Sequence, residues 1–109
     1  MDVESVTVAD AIARMSSGAT VLDVRELDEW HLGHVEGSVH VPLGELPERV
    51  GSLPATPLIC VCRSGSRSLV ATQFLVGAGL DAVNLDDGLL AWVFDGQPLV
   101  ADNGRPTVG

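Results

Sequence analysis

The chain has 109 residues, 46% of them hydrophobic, and a formal net charge of −9 that sets 15 acidic residues against six arginines and no lysine. This length suffices for one packed core and is too short for two domains of ordinary size, so we expect a single domain over residues 1–109. An acidic surface repels nucleic acid and anionic lipid, which argues against nucleic-acid binding and against attachment to a membrane.

Short β-branched segments alternate with helical patterns along the chain. In chain order the patterns predict a helix over 8–15, a strand over 20–23, a helix over 26–32, strands over 39–41 and 58–61, a helix over 66–78 and a strand over 82–85. This alternation predicts an α/β fold, with a central, mostly parallel sheet of about five strands and helices on both faces. We place the core of the domain at residues 6–99 and expect residues 100–109 to form a loosely ordered tail without chemistry.

The two cysteines, Cys60 and Cys62, are separated by one residue of extended chain, so their side chains point to the same face and a disulfide between them would be strained. No histidine lies at a ligand spacing from them, so we expect no metal, and the Gly-rich motifs of nucleotide cofactors are absent, so we expect no cofactor. The N-terminal residues lack a basic segment followed by an apolar run, and no apolar stretch approaches the roughly 20 residues that span a bilayer. These features predict a cytoplasmic protein.

Cys62 is the candidate reactive centre of the chain. It follows the predicted strand over 58–61 and opens the segment Cys-Arg-Ser-Gly-Ser-Arg, which leads into the longest predicted helix. Ligands of parallel sheets collect at the carboxyl ends of the strands, which is where this thiol falls. The helix N-terminus, the converging loop amides and the guanidinium groups of Arg63 and Arg67 all favour a thiolate at neutral pH. A small buried hydrophobe at a strand end is the alternative interpretation of Cys62.

The remaining residues of this loop have the character of an anion site. Gly65 permits a left-handed backbone that lets amides converge on the sulfur, and the hydroxyls of Ser64, Ser66 and Ser68 are suited to cap the helix or donate to an anion. Cys60 lies inside the apolar run and is expected to pack in the core, with a resolving thiol as the alternative.

The two loop arginines are expected to differ in function. Arg67 occupies the first turn of the predicted helix, where a cation is unfavourable to the helix dipole, so a role in binding an anion or anchoring the loop is indicated. Arg63 is expected to lie exposed and to steer anions or partners, with an ordinary solvated arginine as the alternative.

Four motifs in order carry a resemblance to a known family. Segment 21–25 reads Val-Leu-Asp-Val-Arg, segment 33–38 reads Gly-His-Val-Glu-Gly-Ser, segment 62–67 has the pattern CxxGxR, and segment 88–92 runs from Gly88 to Trp92. Together they resemble single-domain rhodanese, the sulfurtransferase family, over nearly the whole chain. The resemblance implies the rhodanese-like version of the α/β fold predicted above.

The resemblance also implies a chemistry for Cys62. This residue is expected to accept sulfane sulfur from a small anionic donor such as thiosulfate, to form a persulfide, and to pass the sulfur to cyanide or a thiol. The residues expected to bind the donor are Arg63, Ser64, Gly65, Ser66 and Arg67. A sulfur carrier or regulatory module that is loaded by a sulfur-relay protein is the alternative. Relatives that act on phosphate or arsenate have a loop one residue longer, so a phosphatase or arsenate reductase is disfavoured.

Supporting residues follow from the same resemblance. Asp23 corresponds to the family's acidic residue that supports the active-site framework, and Arg25 is expected to pair with Glu29 at helical spacing. His34 is expected to be a hydrogen-bonded structural residue rather than a proton carrier. Asp87 departs from the family, which has paired glycines before its last helix. Aspartate tolerates a left-handed backbone, so the turn is expected to survive, but a carboxylate facing the pocket would weaken the binding of anionic donors.

Overall fold

The computed structural model describes residues 2–109, which form five strands and five α-helices. The strands are β1 (Ser5–Val6), β2 (Thr20–Asp23), β3 (Val39–His40), β4 (Leu58–Val61) and β5 (Ala82–Leu85). The helices are α1 (Val8–Ser16), α2 (Leu27–Leu32), α3 (Leu46–Arg49), α4 (Ser66–Gly77) and α5 (Gly88–Phe94). Two 3-10 helices, Leu43–Glu45 and Val50–Ser52, flank α3. The strands form one parallel sheet in the order β1-β5-β4-β2-β3, which confirms the predicted α/β fold.

The ends of the predicted helices have identifiable caps. Helix α1 begins after Thr7, whose hydroxyl accepts a hydrogen bond of 3.2 Å from the amide of Asp10. Helix α2 begins after Glu26, which forms a reciprocal capping box with Glu29.

Strand β1 was not predicted, because two residues are too few to show a strand period. Its pairing with β5 fixes it in the sheet.

The sheet is buried on both faces, which explains why its central strands are continuously apolar. On β4, Ile59 and Val61 face an apolar cluster shared with α1 and α5, whereas Leu58 and Cys60 face a second cluster shared with α4. Cys60 has no exposed surface, so the structure confirms it as a core residue. Burial by the core raises the pKa of the Cys60 thiol to about 11, which keeps that thiol protonated.

Residues 100–109 are held against the domain, and the expectation of a loose tail is wrong. Val100 and His34 exchange two backbone hydrogen bonds of 3.0 and 2.8 Å, and the amide of Thr107 donates to the carbonyl of Leu32 at 2.9 Å. Val108 is only 7% exposed and joins the cluster beneath α1 and α5. This attachment could not be predicted from the sequence, because backbone hydrogen bonds and one buried valine produce no periodic pattern.

The helices of the described residues are short. The longest, α4, has 12 residues. Within residues 2–109 there is no helix with the length and apolar character needed to cross a membrane.

Candidate active site

The loop that follows β4 curls around the thiol of Cys62. Gly65 adopts the left-handed backbone that the sequence predicted, with φ of +102°. It also occupies the N-cap position of α4, for which the sequence had suggested a serine hydroxyl. A Cβ at this position would lie 3.2 Å from the amide nitrogen of Asp87, so a side chain would also crowd the neighbouring turn. The loop therefore turns back sharply and points its amides at the sulfur.

Three hydrogen-bond donors lie around the Cys62 sulfur. The amide of Gly65 donates to Sγ at 3.1 Å, the amide of Ser68 at 3.4 Å and the hydroxyl of Ser68 at 3.3 Å. Burial opposes ionisation of this thiol, since Cys62 is only 1% exposed. The hydrogen bonds from the Ser68 hydroxyl and from the amides of Ser68 and Gly65 nevertheless outweigh burial and lower the pKa of Cys62 below its ordinary value.

Ser68 connects the thiol to a second buried polar residue. Its hydroxyl lies 2.6 Å from Oδ1 of Asn84, and the side-chain amide of Asn84 donates in turn to the hydroxyl of Ser5 at 3.2 Å. Ser68 has no exposed surface and Asn84 is 3% exposed. From the sequence, Ser68 is predicted only as a helix cap or a donor to an anion, and Asn84 is not singled out. The available signal was an asparagine inside the apolar strand Ala-Val-Asn-Leu.

Arg67 anchors the loop to helix α2. Its guanidinium forms two hydrogen bonds with the carboxylate of Glu29, of 2.6 and 2.9 Å. This pairing with Arg67 lowers the pKa of Glu29 to about 2 and raises the pKa of Arg67. The geometry thus favours loop anchoring for Arg67, one of the two functions considered from the sequence.

Asp23 and Arg25 form a buried ion pair beneath the loop. Nη2 of Arg25 lies 2.7 Å from Oδ2 of Asp23, and neither side chain is more than 1% exposed. The remaining N–H groups of this guanidinium donate to backbone carbonyls of Glu29, Gly33 and Val108. The predicted pairing of Arg25 with the Glu29 carboxylate is wrong, because the guanidinium turns back to β2 and leaves that carboxylate to Arg67.

The other loop residues lie at the surface. Arg63, Ser64 and Ser66 are exposed, and Nε of Arg63 donates to the carbonyl of Gly109 at 3.2 Å. Arg63 therefore supplies positive charge at the solvent edge of the loop. Its serine neighbours present hydroxyls to solvent at the same edge.

The turn before α5 packs against this loop. Asp87 has a φ of +58°, so the left-handed turn survives without a first glycine, and its side chain is exposed. Gly88 cannot be replaced so easily, because a Cβ there would lie 2.5 Å from the carbonyl oxygen of Cys62. The next two amides, of Leu89 and Leu90, donate to the carbonyls of Cys62 and Arg63 at 2.9 and 3.1 Å.

Histidines remain outside the thiol site. Nδ1 of His34 donates to the carbonyl of Trp30 at 3.0 Å, and the two rings stack with centroids 3.6 Å apart, so His34 is hydrogen-bonded as predicted. Among residues 2–109, no three histidine, cysteine or acidic side chains come together as ligands of a metal ion.

A parallel sheet whose central strand ends in a loop with two backbone amides directed at a cysteine thiol defines a thiol-centred α/β domain. The family model described as the rhodanese-like domain matches residues 7–95. The chain belongs to this family.

Individual relatives agree with that assignment. Thiosulfate sulfurtransferase 18 of Arabidopsis thaliana is 38% identical and aligns with 97% of this chain and 90% of its own length. The crystal structure of a rhodanese-related protein from Thermoplasma volcanium superimposes with a TM-score of 0.85 at 33% identity, over 91% of this chain and 99% of that one. A third relative, the HTH-type transcriptional regulator Rv0324 of Mycobacterium tuberculosis, is 31% identical over 94% of this chain and 46% of its own length.

Proposed function

We propose that this protein is a sulfurtransferase that moves sulfane sulfur from thiosulfate to a thiophilic acceptor through a persulfide on Cys62. The observation that carries the proposal is the set of donors around the sulfur, which favour a thiolate at the end of a central strand. The similarity to a thiosulfate sulfurtransferase supports the choice of donor. Cyanide or a thiol is the proposed acceptor.

The first half of the reaction loads the cysteine. The Cys62 thiolate attacks the outer sulfur of thiosulfate, a bond forms between the two sulfur atoms, and the sulfur–sulfur bond of thiosulfate breaks. Sulfite leaves with the electron pair of that bond, and Cys62 becomes a persulfide with one negative charge. The thiolate and thiosulfate together carry three negative charges, and so do the persulfide and sulfite that they form. The step therefore needs no proton, oxidant or reductant.

The second half returns the cysteine to its starting state. Cyanide attacks the terminal sulfur of the persulfide, the persulfide bond breaks, and its electron pair returns to the Cys62 sulfur. The products are thiocyanate and the thiolate. The Gly65 and Ser68 donors that hold the thiolate are in place throughout, which stabilises this leaving group.

The charges of the loop suit an anionic donor. Arg63 lies exposed at the edge, where its charge raises the local concentration of a dianion despite the acidic surface. Arg67 is engaged by Glu29 and holds the shape of the loop. We therefore assign Arg63 to attracting the donor and Arg67 to anchoring the loop. The Gly65 amide stabilises the sulfur, and the hydroxyls of Ser64 and Ser66 are available to the donor at the exposed edge of the loop.

One specific relationship favours a second function. The chain aligns with less than half of a transcriptional regulator, so a domain of this kind also occurs within a larger regulatory protein. A sulfur carrier or regulatory module of that sort would be loaded by a protein persulfide and would react slowly with free thiosulfate. The six-residue loop keeps phosphatase and arsenate reductase activity disfavoured, as argued from the sequence.

The test is thiocyanate formation from thiosulfate and cyanide by the purified protein. We expect turnover by the native chain, none by Cys62→Ala, and retained turnover by the matched control Cys60→Ala, whose thiol lies in the core. Incubation with thiosulfate alone should add one sulfur, about 32 Da, at Cys62. Rapid loading from a protein persulfide with negligible loading from thiosulfate would instead support the carrier function.

A further inference from the structure

The hydroxyl of Ser68 has two acceptors within reach and only one proton to give. The sulfur of Cys62 lies 3.3 Å away and Oδ1 of Asn84 lies 2.6 Å away. A hydroxyl donates one hydrogen bond and accepts others. In a buried site an acceptor left without a donor is costly, so the direction of this one proton matters.

When the Cys62 thiol is protonated, the observed orientation of the Asn84 side-chain amide leaves every polar group around it with a hydrogen-bond partner. The S–H group can donate to the Ser68 oxygen, Ser68 then donates to Oδ1 of Asn84, and Nδ2 of Asn84 donates to Ser5. Each member of the chain then has a partner. In this arrangement the Ser68 hydroxyl does not stabilise a negative charge on the sulfur, and only the backbone amides of Gly65 and Ser68 donate to it.

The thiolate requires the opposite arrangement. When Ser68 turns its proton to the sulfur, Oδ1 of Asn84 loses its donor. A half-turn of the Asn84 amide restores the pairing, because Nδ2 then donates to the Ser68 oxygen and Oδ1 accepts from the hydroxyl of Ser5. The two ends of an amide have nearly the same shape, so this turn changes no packing.

We infer that Asn84 is a positioning residue whose side-chain amide turns over when Cys62 ionises, and that it thereby releases the Ser68 hydroxyl to the sulfur. Asn84 is suited to this because its amide both donates and accepts. Ser5 completes the pair, since a hydroxyl serves as partner to either end of the amide. The value of the inference for catalysis rests on the proposed function, in which the thiolate attacks the donor.

The charged groups near the thiol take no part in the series of hydrogen bonds from Cys62 through Ser68 and Asn84 to Ser5. These groups are Arg63 on the loop and Arg67 on α4, Asp23 at the end of β2 and Arg25 just after it, and Asp86 and Asp87 before α5. Among the described residues, none of these side chains hydrogen-bonds to Ser68 or Asn84. They set a constant electrostatic background, against which two variants at residue 84 can be compared.

Two variants of similar size separate the inference from simple packing. In Asn84→Asp the carboxylate can only accept, so it keeps the Ser68 hydroxyl proton away from the sulfur. In Asn84→Leu the side chain has no hydrogen-bonding group, so the Ser68 hydroxyl is free to donate to the thiolate. The readout is the pH profile of Cys62 alkylation by iodoacetamide, followed by mass spectrometry. We expect the midpoint for Asn84→Asp to move to higher pH, with at least a roughly threefold lower rate below the midpoint, and that for Asn84→Leu not to rise.

Asn84→Asp and Asn84→Leu, each combined with Ser68→Ala, test whether residue 84 acts on the sulfur through the Ser68 hydroxyl. If the effect travels through the hydroxyl, the difference between Asp and Leu at residue 84 shrinks when that hydroxyl is absent. An undiminished difference would show that the carboxylate acts on the sulfur through space, and equal profiles for the two variants would show packing alone. Either result overturns the inference.

A measurement on the native chain covers the case in which a variant fails to fold. The side-chain NH₂ resonances of Asn84 in 15N-labelled protein should move with pH at the midpoint of Cys62 alkylation, and should stay fixed in Cys62→Ser. The exposed Asn103 amide serves as internal control. Fixed Asn84 resonances in the native chain contradict the inference. Neither the alkylation rate nor the resonance position depends on sulfur transfer. If the protein makes no thiocyanate but shows these changes, the proposed function is wrong and this inference still holds.

Discussion

Ser68→Ala removes the one side-chain donor that residues 2–109 present to the Cys62 sulfur. The backbone amides of Gly65 and Ser68 remain in place, because the substitution leaves the first turn of α4 unchanged. Ser68 is fully buried, and alanine is smaller by a single oxygen, so we expect the fold to persist. The variant therefore isolates the contribution of the hydroxyl to the thiolate.

The size of the effect follows from the strength of the lost hydrogen bond. A hydrogen bond to a charged group contributes about 1.5–3 kcal/mol, which corresponds to roughly ten- to hundredfold less thiolate at pH values below the midpoint. A more basic thiolate is also a better nucleophile, which recovers about half of the effect on a logarithmic scale. We expect the alkylation rate of Cys62 at low pH to fall by about three- to tenfold.

The assay is the rate of iodoacetamide alkylation of Cys62 between pH 5 and pH 9, with mass spectrometry to separate it from Cys60. Ser66→Ala is the matched control, since its hydroxyl is exposed in the same turn. We expect the midpoint for Ser68→Ala to lie at higher pH than that of the native chain, and the midpoint for Ser66→Ala to be unchanged. Superimposable profiles for Ser68→Ala and native protein would refute the account of the low thiol pKa.

Three further predictions concern the framework around the loop. Because the Glu29 pKa is lowered to about 2, its pairing with Arg67 contributes stability that is present above about pH 4.5 and lost as pH falls towards 2. Glu29→Gln should lose about 1–2 kcal/mol of unfolding free energy at pH 7 and progressively less towards pH 3, and a pH-independent difference would contradict this. Gly88→Ala should reduce thiocyanate formation, since its Cβ would collide with the Cys62 carbonyl, whereas Asp87→Gly should not; equal activities would argue against the close approach. Val108→Asp should lower stability by about 2–4 kcal/mol in urea, and a native midpoint would mean that residues 100–109 are loosely held after all.

Local sequence patterns predicted strands β2 to β5, helices α1, α2 and α4, and the loop, because each of them is set by neighbouring residues. Thr20–Asp23 and Leu58–Val61 are apolar runs bounded by turn residues, and Gly65 marks the left-handed turn before α4. Cys62 was found for the same reason, since its strand, loop and helix are contiguous in the chain.

The pairings that support the loop join distant segments and were not predictable in this way. Glu29 and Arg67 are 38 positions apart, and Asn84 on strand β5 reaches Ser68 on helix α4. Helical spacing suggested Arg25 as the partner of Glu29, but the chain leaves β2 in an extended form that turns Arg25 back to Asp23. Which opposite charges meet is decided by sheet order rather than by spacing along the sequence.

The central claim is that Cys62 carries sulfane sulfur between a donor and an acceptor. Its most direct test is mass spectrometry of the intact protein after incubation with thiosulfate, and again after addition of cyanide. The account predicts an adduct of about 32 Da at Cys62, its loss with equimolar thiocyanate on adding cyanide, and the same behaviour in Cys60→Ala. Thiocyanate formation that continues undiminished in Cys62→Ala would contradict it.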